Sequence, residues 1–128
     1  MTGKPLRVLV CGGRYYDDAK SLYKILSEWP TEIGCIIEGG ATGADYLARM
    51  FGQSKGIPVE SYPVTKAEWD AYGRAAGPMR NTRMLKEGKP DIVIAFPGER
   101  GTRDMMKQAR LARVITYDMS KPIEGQNQ

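Results

Sequence analysis

Leu6-Arg7-Val8-Leu9-Val10-Cys11-Gly12-Gly13-Arg14 is a short apolar, β-branched run stopped by two glycines and an arginine. Such a run reads as a buried strand entering a tight turn. The pattern recurs along the chain. Gly34-Cys35-Ile36-Ile37-Glu38 runs into Gly39-Gly40-Ala41-Thr42-Gly43, and Asp91-Ile92-Val93-Ile94-Ala95-Phe96 breaks at Pro97-Gly98-Glu99-Arg100-Gly101-Thr102. Helical patterns lie between these strands. Asp17 or Asp18 can cap a helix carrying Leu22, Ile25, Leu26 and Trp29 on one stripe before Pro30. Ala44, Leu47, Ala48 and Phe51 mark the inner face of the next, closed by Gly52 or Gly56. Ile57–Tyr62 reads as a third strand and Val114–Tyr117 as a last one. Residues 63–73 lack a clean period and read as a loop with at most one helical turn. A helical pattern returns from about Arg74 to Glu87, with Gly77-Pro78 able to delay its regular part.

Strands made of continuous apolar runs and alternating with helices predict an α/β fold, a Rossmann-like three-layer sandwich around a five-stranded parallel sheet. Right-handed crossovers favour the order 3-2-1-4-5. That order places the topological switch point between the first and fourth strands, beside the turns at 12–14 and 97–102. The expected organisation is one domain over residues 1–120 with a polar, flexible tail at 121–128.

The chain has 128 residues, 41% hydrophobic and 27% charged, which suits a single globular domain. No apolar run approaches the ~20 residues that cross a bilayer, so a cytoplasmic protein with no membrane partner is expected. There is no histidine, and Cys11 and Cys35 are the only cysteines. Histidine-dependent nucleophilic catalysis is thereby excluded, as is an ordinary tetrahedral zinc site within one chain; no metal and no cofactor is implied. Charge is unevenly spread: residues 74–113 hold ten basic and four acidic side chains, while the remainder is net negative. An anionic ligand facing the second half of the chain fits this polarity, as does a solvated helix face.

Three glycine turns at one edge of a parallel sheet let the main chain approach a ligand, with helix N-termini donating N–H groups toward it. Phosphate suits that environment. The candidate binding residues are Gly12, Gly13 and Arg14 in the first turn; Gly39, Gly40, Thr42, Gly43 and Asp45 in the second; and Pro97, Gly98, Arg100, Gly101 and Thr102 in the third. Arg14 is the candidate phosphate fork. Arg80 and Asn81 would reach the same edge from the long connection, with Arg74 and Arg83 as further cations. Asp45 caps its helix or contacts ribose, Glu38 binds ribose hydroxyls or acts as a base, and Trp69 and Tyr72 stack on a base or cover a core edge. Neither Gly-x-Gly-x-x-Gly nor the Gly-x-x-x-x-Gly-Lys-Ser/Thr loop is present, which argues against an NAD dehydrogenase or a P-loop nucleotidase.

Val10–Arg14, Glu38–Asp45, Gly73-Arg74-Ala75-Ala76-Gly77-Pro78-Met79-Arg80-Asn81 and Ala95–Thr102 together resemble, in order, the motifs of the SLOG superfamily of Rossmann-like nucleotide-ligand proteins. The chain is similar to its small stand-alone branch, often found in bacterial and phage genomes. The resemblance covers roughly residues 6–117. It implies a nucleotide-type small molecule as ligand, either bound by a sensor or sequestering module or cut at the N-glycosidic bond, as by the related LOG phosphoribohydrolases. Those hydrolases carry Pro-Gly-Gly-x-Gly-Thr-x-x-Glu, whereas Glu99 replaces the second glycine here and Met105 the final glutamate. Methionine cannot act as acid, base or charge stabiliser. Any catalytic role would therefore fall to Glu38, Asp45 or Asp104. The family also implies homo-oligomers, with Met105, Met106 and Leu111 as contacts. Nucleic-acid binding through the basic second half is the weaker alternative suggested by the related DNA-processing protein.

Overall fold

The computed structural model describes residues 3–120; the tail expected at 121–128 lies outside them. Five strands, β1 (Leu6–Cys11), β2 (Ile33–Glu38), β3 (Val59–Ser61), β4 (Ile92–Ala95) and β5 (Ile115–Asp118), form one sheet in the order β3-β2-β1-β4-β5. Every pairing is parallel, with Val8 opposite Ile36 on one side and Ile92 on the other. This is the Rossmann-like order expected from the alternation of elements.

Alternate side chains of the central strands enter two different cores, as the two-residue period of a strand requires. Val8, Val10, Ile36, Ile94 and Phe96 pack against Leu22 and Leu26 of α1 (Ala19–Ser27) and Ala44, Ala48 and Phe51 of α2 (Ala44–Lys55). Leu9, Cys11, Ile37, Val93 and Ala95 pack on the other face. Their partners are Met84 of α4 (Ala76–Gly88) and Met105, Met106 and Ala109 of α5 (Arg100–Leu111). The layers are helix, sheet and helix. Met105 and Met106, expected as subunit contacts, are instead buried in the chain's own core, and of that trio only Leu111 is exposed.

The stretch at 63–73 differs from its expectation. Lys66–Tyr72 forms α3, followed by a 3₁₀ turn at Gly73–Ala75. A capping box starts it: Glu68 N–H donates to Thr65 Oγ1 at 3.1 Å, and Thr65 N–H donates to Glu68 Oε1 at 2.9 Å. No residue of α3 is buried, so it has no apolar stripe from which periodicity could reveal it. Gly77-Pro78 does not delay α4. Pro78 lies in its first turn, where the missing N–H has no intrahelical acceptor to lose. At α1, Asp18 rather than Asp17 supplies the cap, accepting from Ser21 N–H at 3.0 Å.

Candidate functional site

The carboxyl ends of β1 and β4 lie side by side at the switch point, and the turns leaving them are tied together. Phe96 N–H donates to Cys11 O and Gly13 N–H to Pro97 O, both at 2.8 Å. A cavity of about 650 Å³ opens above them. Its walls are Gly12, Gly13 and Arg14 from the first turn, Pro97 to Thr102 from the third, and Asp45, Arg80 and Asn81 from the flanking helices. A β-carbon on Gly98 would stand 2.1 Å from Thr102 Oγ1 and 2.6 Å from Gly13 N. Only glycine lets these two turns meet so closely.

The first turn of α5 forms part of this wall. Asp18 and Thr65 cap α1 and α3, but Glu99, at the N-cap of α5, makes no side-chain cap hydrogen bond. Nor does the first turn of α5 contain an acidic residue. The leading N–H groups of a helix have no intrahelical acceptor, and the helix dipole adds partial positive charge there. Arg100, Gly101 and Thr102 thus turn the electropositive end of α5 toward the cavity, which the exposed Arg14 also lines.

The second glycine turn is built differently. Gly39, Gly40, Thr42 and Gly43, expected to cradle an anion, do not line the cavity; Ala41 and Asp45 do. Several of this turn's donors are spent within the protein. Gly40 N–H donates to Glu38 Oε1 at 2.6 Å, Ala41 N–H to Asp45 Oδ2 at 3.2 Å, and Thr42 Oγ1 to Arg14 O at 2.9 Å. Ala44 N–H, at the start of α2, donates to Gly13 O at 3.1 Å. Gly43 has φ +74°, and a β-carbon there would fall 2.1 Å from Gly13 O. This turn clamps the first turn in place.

The three candidate carboxylates separate clearly. Glu38 is wholly buried outside the cavity wall, accepting from Gly40 N–H and Ser61 Oγ, with Arg49 Nη1 at 3.8 Å. Asp104 also lies outside the wall and accepts from Asn81 Nδ2 at 2.9 Å and Gln108 Nε2 at 2.8 Å. Asp45 alone reaches the cavity. It is buried, and that burial pushes its pKa up to about 6 against the opposing pull of the Ala41 amide and the Arg80 charge.

Arg80 donates from Nη1 to Gly39 O and, at 3.4 Å, to Tyr62 O, while its Nε donates to Asn81 Oδ1 at 3.1 Å. Burial lowers its pKa from the ordinary arginine value. Asn81 is buried, and its Nδ2 also donates to Gly101 O at 3.2 Å. It therefore holds α4 and the start of α5 together and orients Arg80 over the cavity. Arg83 is engaged elsewhere, with Glu68 at 2.9 Å, and neither it nor Arg74 lines the cavity. Trp69 and Tyr72 of α3 do not line the cavity. The aromatic side chains at the cavity are Tyr15 and Tyr16, which sequence reasoning missed although they directly follow Arg14. Tyr16 packs on Phe96 with ring centroids 5.6 Å apart, and Tyr15 is almost fully exposed. Burial pushes the Cys11 thiol up, so it lines the site as an inert wall.

The class is defined by a Rossmann-like sheet with an uncapped helix N-terminus open to a cavity at its switch point. The chain belongs to the YspA, cpYpsA-related SLOG family (YAcAr), whose model matches residues 6–72, from β1 through α3. It is 33% identical over 117 residues to the Gene 61 protein of Mycobacterium phage D29, covering 84% of this chain and 91% of that one. The X-ray structure of DNA processing protein A (DprA) from Streptococcus pneumoniae has the same fold, with a TM-score of 0.75 at 20% identity over 94% of this chain. This chain spans 52% of that protein's length. Among the described residues, no helix is long and apolar enough to cross a membrane, and no group of three or more acidic or cysteine side chains could hold a metal ion.

Proposed function

We propose that the cavity binds a nucleotide or nucleotide-derived ligand, either a nucleoside phosphate or an ADP-ribose-like molecule, as a sensor or sequestering module. The observation that carries this reading is the uncapped first turn of α5, open to the cavity beside Arg14. Phosphate would sit on Gly98–Thr102 with Arg14 as a bidentate fork, and Tyr15 offers a face for a base. Family membership supports the ligand class, and 650 Å³ lies within the usual range of small-molecule sites.

The test is thermal stabilisation by AMP, ADP and ADP-ribose, since a ligand that binds only the folded state raises the melting temperature with concentration. Arg14→Ala should weaken binding by about 1.5–3 kcal/mol, the worth of a hydrogen bond to a charged group. Unchanged affinity would remove that assignment.

A second reading, N-glycosidic hydrolysis of a nucleoside monophosphate, rests on Asp45, the one candidate carboxylate at the cavity. Ionised, it could stabilise positive charge developing on the ribose ring. Release of free base from purine nucleoside monophosphates would favour the enzyme. Stabilisation by the same compounds without turnover would favour the binding module.

A further inference from the structure

The charged side chains that line the cavity are mixed in sign. Arg14, Arg80 and Arg100 supply three cations, and Asp45 and Glu99 supply two carboxylates, so the wall carries three minus two, or +1, when both acids are ionised. Two of the five are matched to each other. A β-carbon on Gly39 would stand 2.5 Å from Arg80 Nη1 and 2.9 Å from Asp45 Oδ2, so guanidinium and carboxylate flank one glycine, and each favours the charged form of the other. Arg80 also spends donors on Gly39 O, Tyr62 O and Asn81. The charges left for a ligand are Arg14, Arg100 and Glu99, all exposed, and among the described residues none of them has an ion-pair partner.

Glu99 is the unexpected member of this set. It is the N-cap of α5, yet its side chain accepts no amide of the helix, which leaves a negative charge where the peptide dipoles would otherwise draw an anion from outside. A phosphate brought to this end meets a carboxylate as well as two guanidinium groups. Its own charge then decides the outcome. A terminal phosphomonoester has a second pKa near ~6 and holds about two negative charges at pH 8, whereas a phosphate linked on both sides has no second proton to lose and holds about one. A wall of net +1 leaves no cation for the extra charge, which would sit in a partly desolvated cleft beside Glu99.

We propose that Glu99 is a specificity-determining residue, selecting nucleotide conjugates, in which every phosphate is linked on both sides, over nucleotides that end in a free phosphate. The inference rests on the nucleotide reading of the cavity and narrows it. Discrimination of this kind comes from what the carboxylate repels, not from an added contact.

The test is calorimetric titration at pH 8 of AMP and of its methyl ester, which differ by one methyl group and one charge, into the wild type and into the isosteric variant Glu99→Gln. The wild type should bind the ester at least about tenfold more tightly than AMP, the size of one like-charge contact at a dielectric between those of protein and water. Glu99→Gln should bring the two within about threefold of each other by tightening AMP, since the repelling charge is gone. Equal binding of the two by the wild type, tighter binding of AMP, or a preference that survives in Glu99→Gln would overturn the proposal while leaving the cavity a nucleotide site. Binding of neither compound by either protein would overturn the nucleotide reading and this inference with it.

Discussion

The second and third glycine turns are similar in composition and leave the same sheet edge on either side of β1, yet one is closed and the other open. Glu38 and Asp45 supply carboxylates to the amides of Gly40 and Ala41, and Gly13 O takes the first amide of α2. At α5 the N-cap Glu99 lines the cavity without bonding the helix amides, and no acidic side chain lies in the first turn. What separates an open turn from a structural clamp is therefore which groups already occupy the N–H donors. Glycine content alone does not decide it.

The sharpest way to break this comparison is Gly43→Ala. Positive φ and a β-carbon 2.1 Å from Gly13 O predict a loss of about 3–5 kcal/mol in urea denaturation. A loss under about 1 kcal/mol would show that the clamp is not tight.

Asp45 supplies the next largest effect. Its pKa of about 6 lies above the unfolded value near 3.8, so the folded state holds this proton more tightly than the unfolded chain. Stability from this group is full below about pH 4 and falls as pH rises to about 6, by up to ~3 kcal/mol. Asp45→Asn should flatten that part of the stability profile. Affinity for ADP-ribose, whose pyrophosphate does not titrate in this range, should rise as pH falls through 6, because the neutral carboxyl no longer repels phosphate. A flat titration across that range would remove Asp45 from the site.

Glu38→Gln should cost about 1–3 kcal/mol of stability, the penalty for disturbing a buried hydrogen-bonded carboxylate, and leave nucleotide affinity unchanged. A loss of affinity without a loss of stability would reverse its assignment. The smallest expected effect is at Gly101, where a β-carbon meets nothing within 4 Å. Gly101→Ala should stabilise the fold by about 0.5 kcal/mol through helix propensity and retain binding. Destabilisation would mean that the first turn of α5 is not regular helix.

Sheet order was legible in the sequence because the central strands carry short apolar runs that break at glycine-rich turns, and because crossover handedness leaves few alternatives. α3 was not, since all its residues stay out of the core. Its one local signal was the Thr65-x-x-Glu68 capping box. The site was half legible. Arg14, Gly98 and Thr102 follow from strand ends, but the diversion of Gly39, Gly40, Thr42 and Gly43 depends on contacts that composition does not encode: Thr42 with Arg14, Gly43 against Gly13, Arg80 across to Gly39. Met105 and Met106 resembled contact residues only because helical phase does not say which of two faces meets the sheet.

Amide chemical-shift mapping of the ¹⁵N-labelled protein titrated with ADP-ribose tests the central distinction most directly. The account predicts that Gly13, Gly98, Gly101 and Thr102 shift together and saturate at one ligand per chain, while Gly40 and Gly43 stay near their free positions. Largest shifts at Gly40 and Gly43, with Gly98 and Gly101 unmoved, would contradict it.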